Sequence, residues 1–387
     1  MRAEIDHAKL LVVKIGSALL LEDETVNHKW LAAMAADLAA ARATGKDIVI
    51  VTSGAVSLGC AALGLNRKGL SLAQTQAAAA CGQIALLRGW QEALGAHGIE
   101  TAQILLTAED TEQRRRYLNA RQTIRALLDI GAVPVINEND TVATQELRYG
   151  DNDRLAARVA AMISADCLLL LSDIDGLYSA DPSSDTKARF IDRIEKITPA
   201  IEAMAGGSGS SHGSGGMVTK LQAAQIAQSA GCHMVLAGGR GLNPIKALAE
   251  GARSSLFVAH DTPLTARKNW IAHTLQPAGA ITMDDGAVAA LRAGKSLLPV
   301  GVTQIDGQFE RGDCVSLVSR DGAEIGRGLA GLASADALLM MGRASGERDD
   351  VLGVLAERGR AELVHRDDMV LSETSADEAP RGEHDER

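Results

Sequence analysis

Asn137-Glu138-Asn139-Asp140-Thr141-Val142-Ala143-Thr144-Gln145-Glu146-Leu147-Arg148-Tyr149-Gly150-Asp151-Asn152-Asp153 is the stretch on which the reading of this chain turns. Before it stands Ala132-Val133-Pro134-Val135-Ile136, a short apolar run with the length and composition of a buried strand. After it, Arg154 to Ile163 has the pattern of a helix packed by its apolar side. A polar loop dense in Asn and Asp therefore joins the C-terminal end of a strand to a helix. In open α/β sheets that is where ligands bind. Five carboxylates (Glu138, Asp140, Glu146, Asp151, Asp153) crowd the loop, with Arg148 and Arg154 to offset them. A solvated turn with Asp151 capping the helix is the plain alternative for any single residue. Two Asn/Asp clusters flanking one connection, with Gly150 as a backbone hinge, favour a site.

The same arrangement recurs along the chain. Lys9 to Ile15 reads as a strand and ends in Gly16-Ser17; Lys14 interrupts its apolar run. Two readings suit Lys14. It is an edge-strand lysine reaching for water, or a cation held at the strand end beside backbone N–H groups that face an anion. His28 to Ala43 reads as a helix. Asp47 to Val51 reads as a strand ending in Thr52-Ser53-Gly54-Ala55. Ser71 and Gln74 have capping-box spacing before an Ala-rich helix to about Leu94. Thr101 to Leu106 reads as a strand and Asn119 to Leu128 as a helix. Cys167 to Leu171 reads as a buried strand running into Ser172-Asp173-Ile174-Asp175-Gly176-Leu177-Tyr178. Residues 206 to 216 are rich in Gly and Ser and lead into Met217-Val218-Thr219-Lys220, the start of a helix closed by Gly231. A glycine-rich lead-in to a helix N-terminus is a phosphate cradle by geometry. Lys220 strengthens that reading, because a cation in the first turn opposes the helix dipole unless an anion is present. His233 to Leu236 reads as the last strand of this part, with Asn243-Pro244 capping a short helix.

From about Ala278 the texture changes to short strands with frequent turns, a small β-rich domain. The expected divisions are residues 1–275, 276–353 and a tail from 354 to 387 that is disordered from about 372. The 387 residues carry a net charge of −10, against nucleic acid as the main ligand. The span 276–353 has seven Lys/Arg against eleven Asp/Glu and one aromatic residue, Phe309, so RNA binding by the small domain is not expected. The five cysteines include no Cys-x-x-Cys pair and read as reduced core residues. The N-terminus does not read as a signal peptide, and no apolar run is long enough to span a membrane. The expectation is a cytoplasmic protein with no membrane contact.

No P-loop, dinucleotide fingerprint or metal-ligand spacing is present. Two lysines, Gly-rich strand ends and a bank of Asn/Asp suit phosphoryl transfer, which needs cationic and N–H stabilisation more than covalent help. In their order, Lys14-Ile-Gly-Ser, Val51-Thr-Ser-Gly-Ala, Asn137-Glu-Asn-Asp, Gly150-Asp-Asn-Asp, Leu171-Ser-Asp-Ile-Asp-Gly-Leu-Tyr and Gly215-Gly-Met-Val-Thr-Lys220 resemble the amino-acid kinase superfamily. The resemblance covers roughly residues 8 to 355 and is nearest to the glutamate-phosphorylating branch. The tail domain resembles a PUA domain, which bacterial members of that branch often carry.

The resemblance implies a three-layer α/β/α sandwich followed by the PUA-like domain. It implies ATP, with Mg²⁺ on the nucleotide, and L-glutamate as the acceptor, giving γ-glutamyl phosphate at the start of proline biosynthesis. Lys14 and Lys220 would neutralise the phosphates, with Asp153 holding both lysines. Ser53, Gly54, Asp140 and Asn152 match substrate-binding positions, and Asp140 is the natural partner of an α-ammonium group. Ser172, Asp173, Ser214, Gly215, Gly216, Met217, Val218, Thr219 and Lys220 match nucleotide-binding positions, with Lys14 beside them. The longer Gly/Ser/His lead-in at 206–213 departs from the family pattern. Feedback by proline, a homo-oligomer and a glutamate-5-semialdehyde dehydrogenase partner also follow from the resemblance. The alternatives are a kinase for aspartate or N-acetylglutamate, and an RNA-binding protein acting through the PUA-like domain.

Overall fold

The structure is a computed structural model, and it describes residues 2–143, 152–205, 216–273, 275–342 and 362–372. Two compact units divide the chain, Met1–Ala266 and Arg267–Arg387.

The first unit is built on an eight-stranded sheet. Its strands run in the order Arg193–Ile194, Ser254–Phe257, His233–Gly238, Cys167–Ser172, Leu10–Ile15, Asp47–Val51, Val133–Glu138 and Thr101–Leu106. All neighbours are parallel except Ser254–Phe257, which runs antiparallel to His233–Gly238. Leu10–Ile15 and Cys167–Ser172 are buried at every position, as expected of parallel strands covered on both faces. Successive side chains of Leu10–Ile15 alternate between two cores. Leu11, Val13 and Ile15 join one core with Trp30, Leu31 and Leu86, from the helices His28–Ala43 and Leu72–Gly95. Leu10 and Val12 join the other with residues of Arg114–Asp129, Asn152–Ile163 and Met217–Ser229. Three layers result, helices on either side of the sheet.

This alternation decides what Lys14 does. It shares the parity of Leu10 and Val12, and so points to the layer that holds Asn152–Ile163 and Met217–Ser229. Its strand lies between Cys167–Ser172 and Asp47–Val51. That central place excludes the edge-strand reading. From Leu10–Ile15 the chain proceeds to one side of the sheet, then returns on the other at Cys167–Ser172. The gap between those two strands is a topological switch point, where open α/β sheets form ligand crevices.

Glycine lets two helices on the opposite face meet at backbone distance. A Cβ on Gly59 of Ala55–Leu63 would lie 1.6 Å from the carbonyl oxygen of Ala78, and one on Gly82 would lie 1.9 Å from that of Ala55. This contact fixes the turn Thr52-Ser53-Gly54 against helix Leu72–Gly95. Gly54 stands at φ +103°, open to glycine at little cost.

Several details differ from the sequence reading. His233–Gly238 is not the last strand of the sheet: Ser254–Phe257 follows it. Two serines hid that strand, one of which, Ser255, uses its buried hydroxyl to accept from Leu177 N at 2.7 Å. Asn243 does not cap Pro244–Ala249 with its side chain. The buried carboxylate of Asp37 does so instead, accepting from Ile245 N at 2.8 Å and Lys246 N at 3.1 Å. Four cysteines are buried as expected, but Cys81 is exposed. The Ser71–Gln74 capping box is present in both directions.

The second unit holds a five-stranded sheet in the order Val302–Gly307, Gly279–Met283, Cys314–Ser319, Glu324–Leu329 and Met369–Leu371. Ile281, Met283, Val315, Leu317 and Val364 fill its core. The unit begins at Arg267, and Met369–Leu371, placed in the tail by the sequence reading, pairs antiparallel with Glu324–Leu329. The buried guanidinium of Arg267 donates to Asp368 Oδ1 from Nε at 3.0 Å and from a terminal nitrogen at 2.8 Å.

Candidate active site

Three elements bring three charges together at the C-terminal end of the first unit's sheet. Lys14 Nζ lies 2.6 Å from Asp153 Oδ1, and Lys220 Nζ lies 3.1 Å from Asp153 Oδ2. Thr219 Oγ1 donates to Asp153 Oδ2 at 2.9 Å. The three charged residues are 8%, 1% and 5% exposed in chain order. Asp153 sits in the first turn of Asn152–Ile163, where the helix dipole favours an anion. Lys220 sits in the first turn of Met217–Ser229, where the dipole disfavours a cation. Burial pushes the Asp153 carboxyl up, but the charges and hydrogen bonds of Lys14 and Lys220 outweigh it and hold the group below the usual carboxylate range. Two ammonium groups thus meet one carboxylate in a buried place. Two cations held together at a strand end suit the centre to anions.

Beside it, Gly16 N donates to Leu171 O at 3.2 Å, which joins the ends of the two strands at the switch point. Ser172 follows, its hydroxyl donating to Asp173 Oδ1 at 3.0 Å. Asp173 itself is half exposed and lies 3.7 Å from a terminal nitrogen of Arg240. Gly216, Met217, Val218 and Thr219 form the entry to the Lys220 helix. Ser214 and Gly215 lie outside the described residues, as do Glu146, Gly150 and Asp151 of the central loop.

On the neighbouring strands a chain of carboxamides stands behind Ser53. Asn152 Nδ2 donates to Thr52 O at 3.0 Å, Ser53 Oγ at 3.0 Å and Asn137 Oδ1 at 3.2 Å. Asn137 Nδ2 donates to Gln83 Oε1 at 2.7 Å. Asp140, two residues past the Val133–Glu138 strand, lines a cavity of about 700 Å³ with Gln83, Leu87, Arg88, Asn139 and Thr141. Burial pushes its carboxyl up to about 6. A carboxylate with so costly a charge is primed to take a cationic partner. The sequence reading named Asn152, Ser53 and Asp140 but gave no role to Asn137, Gln83 or Thr52. Gln83 did carry a signal: it falls on the buried stripe of its helix with Ala79, Leu86 and Trp90, a polar residue at an apolar position.

A fold of this topology, with two lysines gripping one aspartate at its switch point, defines a class. Residues 9–238 match the amino acid kinase family, and the chain belongs to it. Residues 279–352 match the PUA domain. Among its relatives, the chain is 55% identical over 366 residues to the glutamate 5-kinase of Paramagnetospirillum magneticum, covering 94% of this chain and 98% of that one. It is 56% identical over 363 residues to the glutamate 5-kinase of Agrobacterium fabrum, covering 94% and 92%. With that of Rhizobium rhizogenes it shares 53% over 386 residues, 100% and 98% of the two chains. Within the amino acid kinases, it is a member of the glutamate 5-kinase family.

Proposed function

We propose that the chain transfers the γ-phosphoryl group of ATP to the γ-carboxylate of L-glutamate, giving ADP and γ-glutamyl phosphate, the opening step of proline biosynthesis. The observation that carries this reading is the Lys14–Asp153–Lys220 centre, two ammonium groups held on one buried carboxylate at the sheet's switch point. The acceptor carboxylate is ionised at neutral pH, so the reaction needs no general base. Its obstacle is electrostatic: an anion must approach a triphosphate. Lys14 and Lys220 offset that repulsion and stabilise charge on the transferring group. Asp153 keeps the two ammonium groups together, and Thr219 holds the carboxylate's second oxygen. Ser172, Asp173 and residues 214–219 form the nucleotide side. Mg²⁺ fits as an ion carried by the phosphates, since the described residues offer no group of three His, Cys or carboxylate side chains for it.

On the acceptor side, Asp140 pairs with the α-ammonium group. Ser53 and Asn152, hydrogen-bonded to each other, hold the substrate's other polar groups, with Gly54 giving backbone access. This assignment favours glutamate over N-acetylglutamate, whose acylated nitrogen carries no charge for Asp140. Proline keeps the α-carboxylate and the cationic nitrogen but offers no γ-carboxylate, and so fits as a competitive feedback inhibitor. The acyl phosphate product is labile. A glutamate-5-semialdehyde dehydrogenase partner that reduces it, a homo-oligomeric assembly and a cytoplasmic setting complete the reading. Among the described residues no helix is long and apolar enough to cross a membrane. The test is product trapping: purified protein with ATP, L-glutamate and hydroxylamine should yield γ-glutamyl hydroxamate together with ADP. ADP release without the hydroxamate would refute the reading.

A further inference from the structure

Helix Leu72–Gly95 contributes none of the residues assigned above, yet two of its buried side chains reach the acceptor side. Trp90 Nε1 donates to Thr52 Oγ1 at 3.3 Å. Gln83, seven residues earlier on the same face, accepts from Asn137. The Gln83 contact closes a relay whose direction is set at its far end. Thr52 O is a carbonyl and can only accept, so the Asn152 atom beside it is the donor, Nδ2. The Asn137 atom that faces that Nδ2 must then be the acceptor, Oδ1. Asn137 consequently turns its Nδ2 to Gln83, which must answer with Oε1. One backbone carbonyl thus fixes three amides.

The direction matters at Ser53. Its hydroxyl oxygen accepts from Asn152 Nδ2, which leaves the single O–H free to donate. A hydroxyl so polarised is suited to a carboxylate oxygen of the substrate. Asn137 is 2% exposed and Gln83 9%, so water does not readily replace a missing member. Without the Gln83 acceptor, Asn137 Nδ2 is a buried donor with no partner. Turning the Asn137 amide over then sets its Nδ2 against the Asn152 Nδ2 that Thr52 O holds in place, so the two amides repel and Asn152 loses its brace behind Ser53. Gln83 Nε2 has no partner among the described residues, so the relay uses only its oxygen.

We propose that Gln83 is a positioning residue for the amino-acid acceptor, holding Asn137 Oδ1 toward Asn152 and so bracing the Asn152 amide that donates to Ser53. The proposal rests on glutamate as the acceptor and extends that reading to the helix behind the site. Its test is a pair of substitutions in the full chain, with steady-state kinetics for both substrates. Gln83→Leu, which removes the acceptor, should raise KM for glutamate about tenfold, the effect of one buried donor left unpaired. KM for ATP should stay within about twofold, as nothing in the relay touches the cationic centre. Gln83→Glu keeps an acceptor oxygen but puts a second, chargeable oxygen in place of Nε2 beside the Asp140 cavity, so its glutamate KM should recover only part of the loss seen in Gln83→Leu. If Gln83→Leu does not fold, Gln83→Met, of equal length and without the acceptor, takes its place with the same split expected. An unchanged glutamate KM or an equal rise for ATP in Gln83→Leu overturns the proposal. Failure of the parent protein to phosphorylate glutamate overturns the functional reading and this inference together. Parent turnover with an unshifted Gln83→Leu overturns this inference alone.

Discussion

Each unit of the molecule buries an ion pair, and the two differ in what the carboxylate holds. In the second unit the guanidinium of Arg267 meets Asp368, with two of its nitrogens on a single carboxylate oxygen. That pair ties the start of the unit to its last strand. In the first unit one carboxylate serves two ammonium groups. Two cations held on one buried carboxylate at the sheet's switch point are placed to meet an anionic ligand. The pair in the second unit is architecture, and the two lysines are the site.

Breaking the pair in the second unit should have the largest effect on stability and none on the chemistry. Arg267→Met takes the guanidinium away from the buried Asp368 carboxylate, which costs about 3–5 kcal/mol, read by urea unfolding of the full chain. Adding Asp368→Leu should recover most of that loss, since a packed apolar pair is often as stable as a buried ion pair. A double variant as unstable as the single one would show that the pair's contribution is specific to its charges.

Removing one of the two lysines should do the reverse. Lys220→Ala takes away transition-state stabilisation, and kcat should fall roughly 10²–10³-fold, with the unfolding midpoint little changed. A near-normal kcat would make the second lysine a structural feature after all.

A third substitution extends the contrast to the acceptor side. Asp140→Asn removes the partner of the α-ammonium and should raise glutamate KM by the equivalent of about 1.5–3 kcal/mol, leaving ATP KM nearly unchanged. A parallel loss for ATP would move Asp140 to the nucleotide side.

The smallest effect is one of pH. Asp140 binds an ammonium group only as a carboxylate, and burial raises its pKa to about 6. Its proton must leave when glutamate binds, so glutamate KM should rise about tenfold per unit as pH falls below 6 and be flat above 7. Asp153 titrates lower and does not contribute in that window. The profile should vanish in Asp140→Asn; persistence there would assign the titration to another group.

How much of this was legible in the sequence follows from the kind of signal each part carries. The His28–Ala43 helix and the strands Asp47–Val51 and Thr101–Leu106 have the bounds the pattern indicated, because continuous apolar runs with clear breakers encode them locally. Ser254–Phe257 escaped because a serine doing a backbone's work looks like a loop residue. Met369–Leu371 escaped because a three-residue edge strand carries too little pattern to stand out from a polar tail. Lys14 and Lys220 were conspicuous as charges in odd places, and Asp153 as one of the loop's five carboxylates. Their meeting was implied by the family resemblance and not by the residues themselves, since it depends on the parity of one strand and the first turns of two helices far apart in the chain. The amide relay was least visible of all. Its members, Gln83, Asn137 and Asn152, are ordinary residues whose roles come entirely from which atom faces which.

The account divides the site into a cationic centre for phosphates and an acidic pocket for an α-ammonium group. The most direct measurement of that division is the rate of ADP formation by the purified protein with L-glutamate, L-aspartate and N-acetyl-L-glutamate as acceptors, at neutral pH and equal concentration. The account predicts that glutamate is turned over well above both others, with N-acetylglutamate failing for want of a charged nitrogen. Turnover of N-acetylglutamate at a rate equal to glutamate would contradict it.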